Sequence, residues 1–326
     1  MGKEERIKKL VKQIGKLLSL LAIGFIVYKF SQIDFNYKEV INGTNILICI
    51  GLLLLQVFVI VTACFPWMNF VEILTDKKVG FTKAMVVFTK ANIFKYVPGN
   101  VFQYVARNEL AIVSKVSHFD VVMATILDTT LSLIVAFVLA LVCLRESAIE
   151  YINNSGIANK KMLLILLIGL IIIIIISIIL CRKFFRNKFR LYIGRFNARN
   201  AARLLKIFAY YIFNNVINCV IFYIIVAVIF QENNSVDMVY RLLGSFVFSL
   251  IIGMITPGAS GGIGIRESVM LFITEGAFDS DVIISSMVLL RIISIVGDIA
   301  AFFVGKVFYL VKKRIYGLEI KDYGKN

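Results

Sequence analysis

Two arginines occupy matching positions in two copies of a short motif. Arg107 ends the segment PGNVFQYVAR, which begins at Pro98, and Arg266 ends PGASGGIGIR, which begins at Pro257. An arginine guanidinium offers paired donors to a phosphate or a carboxylate. A charge at membrane depth is costly and usually serves a site. The repeated motif therefore predicts an anion-binding site that both copies help to form.

The second copy of the motif is rich in glycine. Glycine permits sharp turns that leave main-chain amides open, and a helix that begins at such a turn directs its positive end toward it, which suits a phosphate. The glycines predicted to contact the anion are Gly258, Gly261, Gly262 and Gly264. Glu109 and Glu267 lie beside the arginines and complete the candidate set. The alternative is structural: the glycines allow close helix packing, and the glutamates neutralise the arginines to hold the hairpins together.

The first copy adds two candidates for a path that a polar headgroup would follow. Lys95 precedes Pro98 by three residues, and Tyr104 precedes Arg107 by three. Anchoring at the membrane interface is the alternative explanation for the tyrosine.

Two further charges lie inside predicted spans. Asp128 and Arg291 are eight and nine residues into their spans, so each lies about 12 to 14 Å from one face of the roughly 30 Å hydrocarbon core. We therefore predict a midplane ion pair between Asp128 and Arg291. Asp298, two helical turns beyond Arg291, is an alternative partner.

Composition places these residues in a membrane protein. The chain has 326 residues, of which 60% are hydrophobic and 17% charged, and its mean hydropathy is +0.87. The net charge of +16 comes from basic residues between apolar runs, so we expect no nucleic acid partner. The five cysteines have no CxxC spacing, and there is one histidine, so we expect neither a metal nor a cofactor.

The apolar runs predict an all-α polytopic protein with about six transmembrane helices and two re-entrant, broken-helix hairpins. The predicted spans are 16–30, 44–65, 120–144, 162–180, 207–231 and 282–311, and the hairpins are 81–117 and 242–274. Segment 181–206 contains nine basic residues and no acidic one, which marks it as cytoplasmic. Alternation from there places both termini in the cytoplasm.

The spans and hairpins divide into two similar halves, residues 1–150 and 151–326. Each half contains two spans, a hairpin and a final span, and the two hairpins enter from opposite sides. This order predicts an inverted-topology repeat, in which a substrate binds near the midplane between broken helices.

KYVPGNVFQYVAR and TPGASGGIGIRE resemble the two signature segments of the lysylphosphatidylglycerol synthase transmembrane, or flippase-like, family of bacterial and archaeal membrane proteins. The resemblance spans nearly the whole chain. Its second segment is the more specific, because the first lacks the glycine and the acidic residue that many members have before the arginine. The resemblance implies translocation of aminoacylated phospholipids, or a role in envelope glycan pathways that use lipid-linked sugars. No aminoacyl-transferase domain is expected after the last span, so lysyltransferase activity would belong to longer members.

The expected function is therefore that of a lipid flippase in a bacterial or archaeal cytoplasmic membrane. Its partner would be an anionic phospholipid or a polyprenyl-phosphate lipid, moved between leaflets by alternating access. One alternative is a glycosyltransferase that uses polyprenyl-phosphate sugars, with Glu109, Asp128 or Glu267 as its carboxylates. Another is a non-transporting partner of envelope-synthesis enzymes. We expect a transporter rather than an enzyme, because the residues suited to catalysis are few.

Overall fold

The computed structural model of the chain describes residues 43–96, 102–108, 114–145, 194–232, 235–256, 260–262 and 264–316. These residues form helices joined by short turns, without a strand among them. The helices are α1 (Gly43–Thr62), α2 (Cys64–Thr75), α3 (Phe81–Ile93), α4 (Phe102–Arg107), α5 (His118–Cys143), α6 (Ala198–Ile224), α7 (Val236–Ile255), α8 (Ile265–Thr274) and α9 (Ser280–Tyr316). Short 3₁₀ turns follow α3 at Phe94–Tyr96 and precede α8 at Ser260–Gly262, and a π-helical segment, Ile225–Ile229, continues α6.

Five helical segments are long and apolar enough to cross a membrane, which makes this a multi-pass helical protein. They are Gly43–Thr75, His118–Cys143, Asn200–Ile229, Val236–Ile255 and Ser280–Lys312. Four of them coincide with predicted spans. The other two predicted spans, 16–30 and 162–180, lie outside the described residues.

The fifth segment, α7, begins before the predicted start of the second hairpin. The prediction placed that start at residue 242, whereas α7 begins at Val236 and runs for 20 residues. Arg241 fits inside the helix because its Nε and Nη2 donate to the Ile273 carbonyl oxygen at 3.1 and 2.9 Å. This carbonyl lies in the last turn of α8, where carbonyls lack intrahelical partners. The arginine therefore joins α7 to the end of α8.

The helices next to the two motifs pack on two apolar cores. The first core joins α2, α3 and α5 around Trp67, which is fully buried and donates through Nε1 to Thr125 Oγ1 at 2.9 Å. The second core joins α6, α7, α8 and α9, and contains Phe222 stacked on Phe246 with 4.4 Å between ring centroids. The cores hold the motif-bearing segments in place.

Glycines allow the long helix α9 to approach its neighbours closely. A methyl group built on Gly297 would lie 3.1 Å from the Gln56 side chain of α1, and one built on Gly305 would lie 2.8 Å from Thr89 Oγ1 of α3. Lipid chains are as apolar as the helix surfaces, so association in a membrane depends on close contacts of this kind. The glycines therefore fix the position of α9 against the first half of the chain.

The two halves of the chain interleave. The last long helix of the first half, α5, packs against α7, and the last long helix of the second half, α9, packs against α1 and α3. This arrangement brings the 3₁₀ turn after α3 into contact with the 3₁₀ turn before α8. The two motif regions, separated by about half of the chain, are therefore neighbours in space.

Candidate functional site

The candidate site lies where the two turns meet beside α9. A methyl group built on Gly261 would lie 4.0 Å from Cδ1 of Tyr96. Gly261, Gly262 and Gly264 have φ values of +61°, +73° and +84°, a region that residues with a Cβ rarely adopt. These three predicted glycines are therefore required for the turn that leads into α8. The fourth, Gly258, lies outside the described residues.

Arg266 passes through a narrow channel between this turn and α7. A methyl group built on Gly253 would lie 2.5 Å from Cγ of Arg266, and one built on Gly262 would lie 2.7 Å from its Nε. Gly253 has ordinary helical backbone geometry, so its role is to leave room for the arginine. Because Gly253 and Gly262 have no side chains, the Arg266 side chain can lie against the backbone of α7.

The Arg266 guanidinium has an open hydrogen-bonding position. Its Nε is buried and has no hydrogen-bond partner. No carboxylate in the described part of the chain lies within ion-pair distance of the group, and Glu267 and Arg291 are the charged residues that act on it electrostatically. A buried donor without an acceptor is destabilising by roughly 1 to 3 kcal/mol. A bound anion would supply the acceptor.

Glu267 is engaged by Arg291 instead of by Arg266. Its Oε1 lies 2.9 Å from Arg291 Nη2, and its Oε2 accepts from the Gly264 amide at 2.8 Å. The second contact closes the first turn of α8. Glu267 thus fastens the start of α8 to α9 and leaves Arg266 without a counter-charge of its own.

Lys95 forms an ion pair with Asp298, a pairing that was not predicted from the sequence. Asp298 of α9 is 1% exposed, and its Oδ2 lies 2.6 Å from Lys95 Nζ. Asn92 Nδ2 donates to Asp298 Oδ1 at 2.5 Å, and the Tyr96 hydroxyl donates to Asp298 Oδ2. Three donors from one stretch of the first half therefore converge on one carboxylate of the second half.

One helix consequently holds both turns. Arg291 attaches the second turn to α9 through Glu267, and Asp298 attaches the first turn through Lys95. The two anchors are seven residues apart, which is about two helical turns or roughly 10.5 Å along the axis. The spacing of Arg291 and Asp298 on one helix face was the available sequence signal for this arrangement.

Arg107, the counterpart of Arg266, is buried and fully engaged. Its Nη1 lies 2.7 Å from Asp128 Oδ2, and both residues are less than a tenth exposed. Tyr211 of α6 donates its hydroxyl to Asp128 Oδ1 at 2.5 Å. The guanidinium carbon also lies over three aromatic rings: Phe88 at 4.2 Å, Tyr104 at 5.5 Å and Trp67 at 5.8 Å. Tyr104 thus packs on Arg107 in this cluster, which links both halves of the chain.

The predicted midplane ion pair between Asp128 and Arg291 is wrong. Asp128 pairs with Arg107, and Arg291 pairs with Glu267. Counting residues along a span gives the depth of a side chain but not its direction around the helix axis. In the structure, Arg107 of α4 lies beside α5 and Glu267 of α8 lies beside α9, so each of the two charges has a nearer partner. The other predicted carboxylate, Glu109, lies outside the described residues.

The arrangement favours binding of an anion over acid–base chemistry. Asp128 and Glu267, two of the three carboxylates considered for catalysis, are each held by an arginine. Within the described ranges, no group of three or more His, Cys, Asp or Glu side chains is placed to hold a metal ion. Among the described residues where the turns meet, Arg266 has a buried nitrogen, Nε, without a hydrogen-bond partner.

Comparison with protein-family models, with curated proteins and with solved structures found no significant match to this chain.

Proposed function

We propose that this chain is a membrane lipid translocase that moves an anionic, phosphate-bearing lipid between leaflets by alternating access. The proposal rests on the surroundings of Arg266. A guanidinium in a glycine-lined channel, with a buried Nε that lacks an acceptor, is suited to a ligand that brings its own negative charge. In a multi-pass membrane protein, the most abundant source of such a charge is a phospholipid headgroup.

The surroundings of Arg266 fit a phosphate. The glycine turn leads into α8, and Arg266 is the second residue of that helix, so the positive end of the helix dipole adds to the attraction. Lys95, which is a quarter exposed, is held in the same region by Asp298. Phosphate oxygens would accept from Arg266 and from amides in the first turn of α8, while the acyl chains would remain against the apolar outer faces of the helices.

The interleaved halves suit movement of such a site. In the proposed mechanism, residues 1–150 and 151–326 are inverted repeats, the segments around the two motifs are broken-helix hairpins, and the site faces each leaflet in turn as the halves rock. The contact between the motif turns supports a binding position shared by both halves. The basic segments favour cytoplasmic termini in a bacterial or archaeal membrane.

The test compares three purified proteins: the native chain, Arg266→Gln, and Arg203→Gln as a control that removes an equal charge from the basic segment of α6. Lipids retained through purification are identified by mass spectrometry. Each protein is then reconstituted with acyl-labelled phosphatidylglycerol, and movement between leaflets is followed by quenching the outer label. We expect retention and movement to fall in Arg266→Gln and to persist in Arg203→Gln. Equal lipid profiles and equal movement in all three would refute the proposal.

A further inference from the structure

The charges around the meeting turns do not cancel. Three cations lie in this region of the described structure, and two carboxylates neutralise two of them: Glu267 is bound to Arg291, and Asp298 is bound to Lys95. Arg266 is the third cation, and it lies within electrostatic reach of Arg291, which repels it, and of Glu267, which Arg291 already engages. The described residues of the site therefore carry one positive charge in excess.

We propose that this site selects a lipid whose headgroup carries a single net negative charge on a phosphodiester. The inference deepens the proposed function and depends on it, because it names the class of lipid that the Arg266 site takes. A phosphatidylglycerol-like headgroup supplies one charge for one arginine. The complex is then neutral at a depth where uncompensated charge is costly.

Two neighbouring classes of lipid fit less well. A phosphomonoester such as phosphatidic acid brings a second negative charge, and both other cations at the site are already held by carboxylates. A headgroup with an additional ammonium, such as an aminoacylated phosphatidylglycerol, brings a cation close to Arg266 and Arg291. Either class leaves at least one charge unpaired in the bound state, whereas the phosphatidylglycerol complex has none.

Asp298 allows the charge count to be changed without removing a cation. Asparagine has the size of aspartate and retains an oxygen that accepts from Asn92 or Tyr96, so Asp298→Asn keeps much of the hydrogen bonding. It removes the charge that neutralises Lys95. The site would then have two positive charges in excess, and the preferred ligand should change from a monoanion to a dianion.

The experiment measures binding of three lipids of matched acyl chains to the purified full chain at pH 8. They are phosphatidylglycerol, phosphatidic acid and lysyl-phosphatidylglycerol. At this pH the phosphomonoester is dianionic, because its second pKa is about 6. We expect the native chain to prefer phosphatidylglycerol by about tenfold, which corresponds to one charge-assisted hydrogen bond. We expect Asp298→Asn to reverse the order of phosphatidylglycerol and phosphatidic acid, and Arg266→Gln to lose the preference.

Four outcomes would contradict one or the other proposal. Binding that depends on Arg266 but treats phosphatidylglycerol and phosphatidic acid equally overturns the charge selection and leaves the translocase proposal standing. A native preference for phosphatidic acid or the lysyl lipid overturns it as well. An unchanged order in Asp298→Asn, with a protein that remains monodisperse and cooperative in thermal unfolding, also counts against it. Binding that is indifferent to Arg266 contradicts the proposed function itself.

Discussion

The buried cluster around Arg107 permits a quantitative test of what holds the two halves of the chain together. Arg107 and Asp128 form an ion pair at 2.7 Å, and both are almost completely buried. Removing one member of such a pair leaves the other as an uncompensated buried charge, at a cost of about 3 to 5 kcal/mol. Removing both leaves no such charge, so the double variant should be more stable than the sum of the single changes predicts.

The structure sets where in this range each single variant should fall. In Arg107→Met, the Asp128 carboxylate still accepts from Tyr211 at 2.5 Å, so we expect a loss of about 3 kcal/mol. In Asp128→Asn, the guanidinium keeps its aromatic contacts, of which Phe88 at 4.2 Å is the nearest. Since a desolvated cation–π contact contributes about 2 kcal/mol, we expect a similar loss. The double variant should lose about the same as either single one.

The assay uses the only tryptophan in the chain. Trp67 is fully buried and lies 5.8 Å from the Arg107 guanidinium, so its fluorescence reports directly on this cluster. Unfolding of the purified protein in mixed micelles would be followed by the red shift of Trp67 emission for all four proteins. A coupling energy of about 2 kcal/mol or more supports the reasoning. Strictly additive losses would show that the pair does not stabilise the fold as described.

Three further predictions concern the site and α9. Gly262→Ala should reduce lipid retention in mass spectrometry and lower thermal stability by about 1 to 2 kcal/mol, because its φ is +73° and the added methyl would meet Arg266 Nε. Asp298→Ala should destabilise the protein by about 1 to 3 kcal/mol in thermal unfolding, because three donors lose their acceptor. Gly305→Val should lower the unfolding temperature, because the added side chain would overlap Thr89 between α9 and α3.

Matched controls separate these effects from general damage. Gly51→Ala adds a methyl group to α1 where nothing lies within 4 Å, so its unfolding and lipid retention should equal those of the native chain. Asp298→Asn should lose less stability than Asp298→Ala, because the amide oxygen still accepts. If Gly262→Ala resembled Gly51→Ala in both measurements, the close approach of Arg266 to the turn would be incorrect.

The sequence predicted the long helices well because their signal is local. A run of about 20 apolar residues has few alternatives to a membrane-spanning helix, and four predicted spans coincide with four helical segments of the structure. The predicted second hairpin began at residue 242, whereas α7 begins at Val236 and includes Arg241, whose side chain donates to the Ile273 carbonyl oxygen of α8. Composition alone does not show whether a charged side chain within an apolar run has a hydrogen-bond acceptor nearby.

The sequence predicted the charged residues of the site better than their partners. Depth along a span follows from counting residues, and the structure places both Asp128 and Arg291 within long apolar helices. Counting residues does not give the direction of a side chain around the helix axis, nor does it show that α4 and α8 lie beside the long helices. Both features decide which charged residues pair. The contact between Tyr96 and Asp298 joins residues 202 positions apart, and no periodicity relates them. The two motif arginines occupy equivalent positions in the sequence. In the structure, Arg107 is paired with Asp128, whereas Arg266 has a buried Nε without an acceptor.

The length of α9 has a consequence for the number of conformations the protein can adopt. Its 37 residues extend about 55 Å, more than the 40 to 45 Å of a bilayer with its headgroups, and the helix is continuous past both Arg291 and Asp298. In the proposed translocation, the two turns would close the site toward opposite faces of the membrane. Two turns that moved independently would give four combinations, including one with the site open to both faces, which would let ions leak. Because both turns are attached to one continuous helix, we expect them to open in alternation. Distance measurements between labels on the two turns should therefore yield two populations, and membranes containing the protein should remain tight to ions.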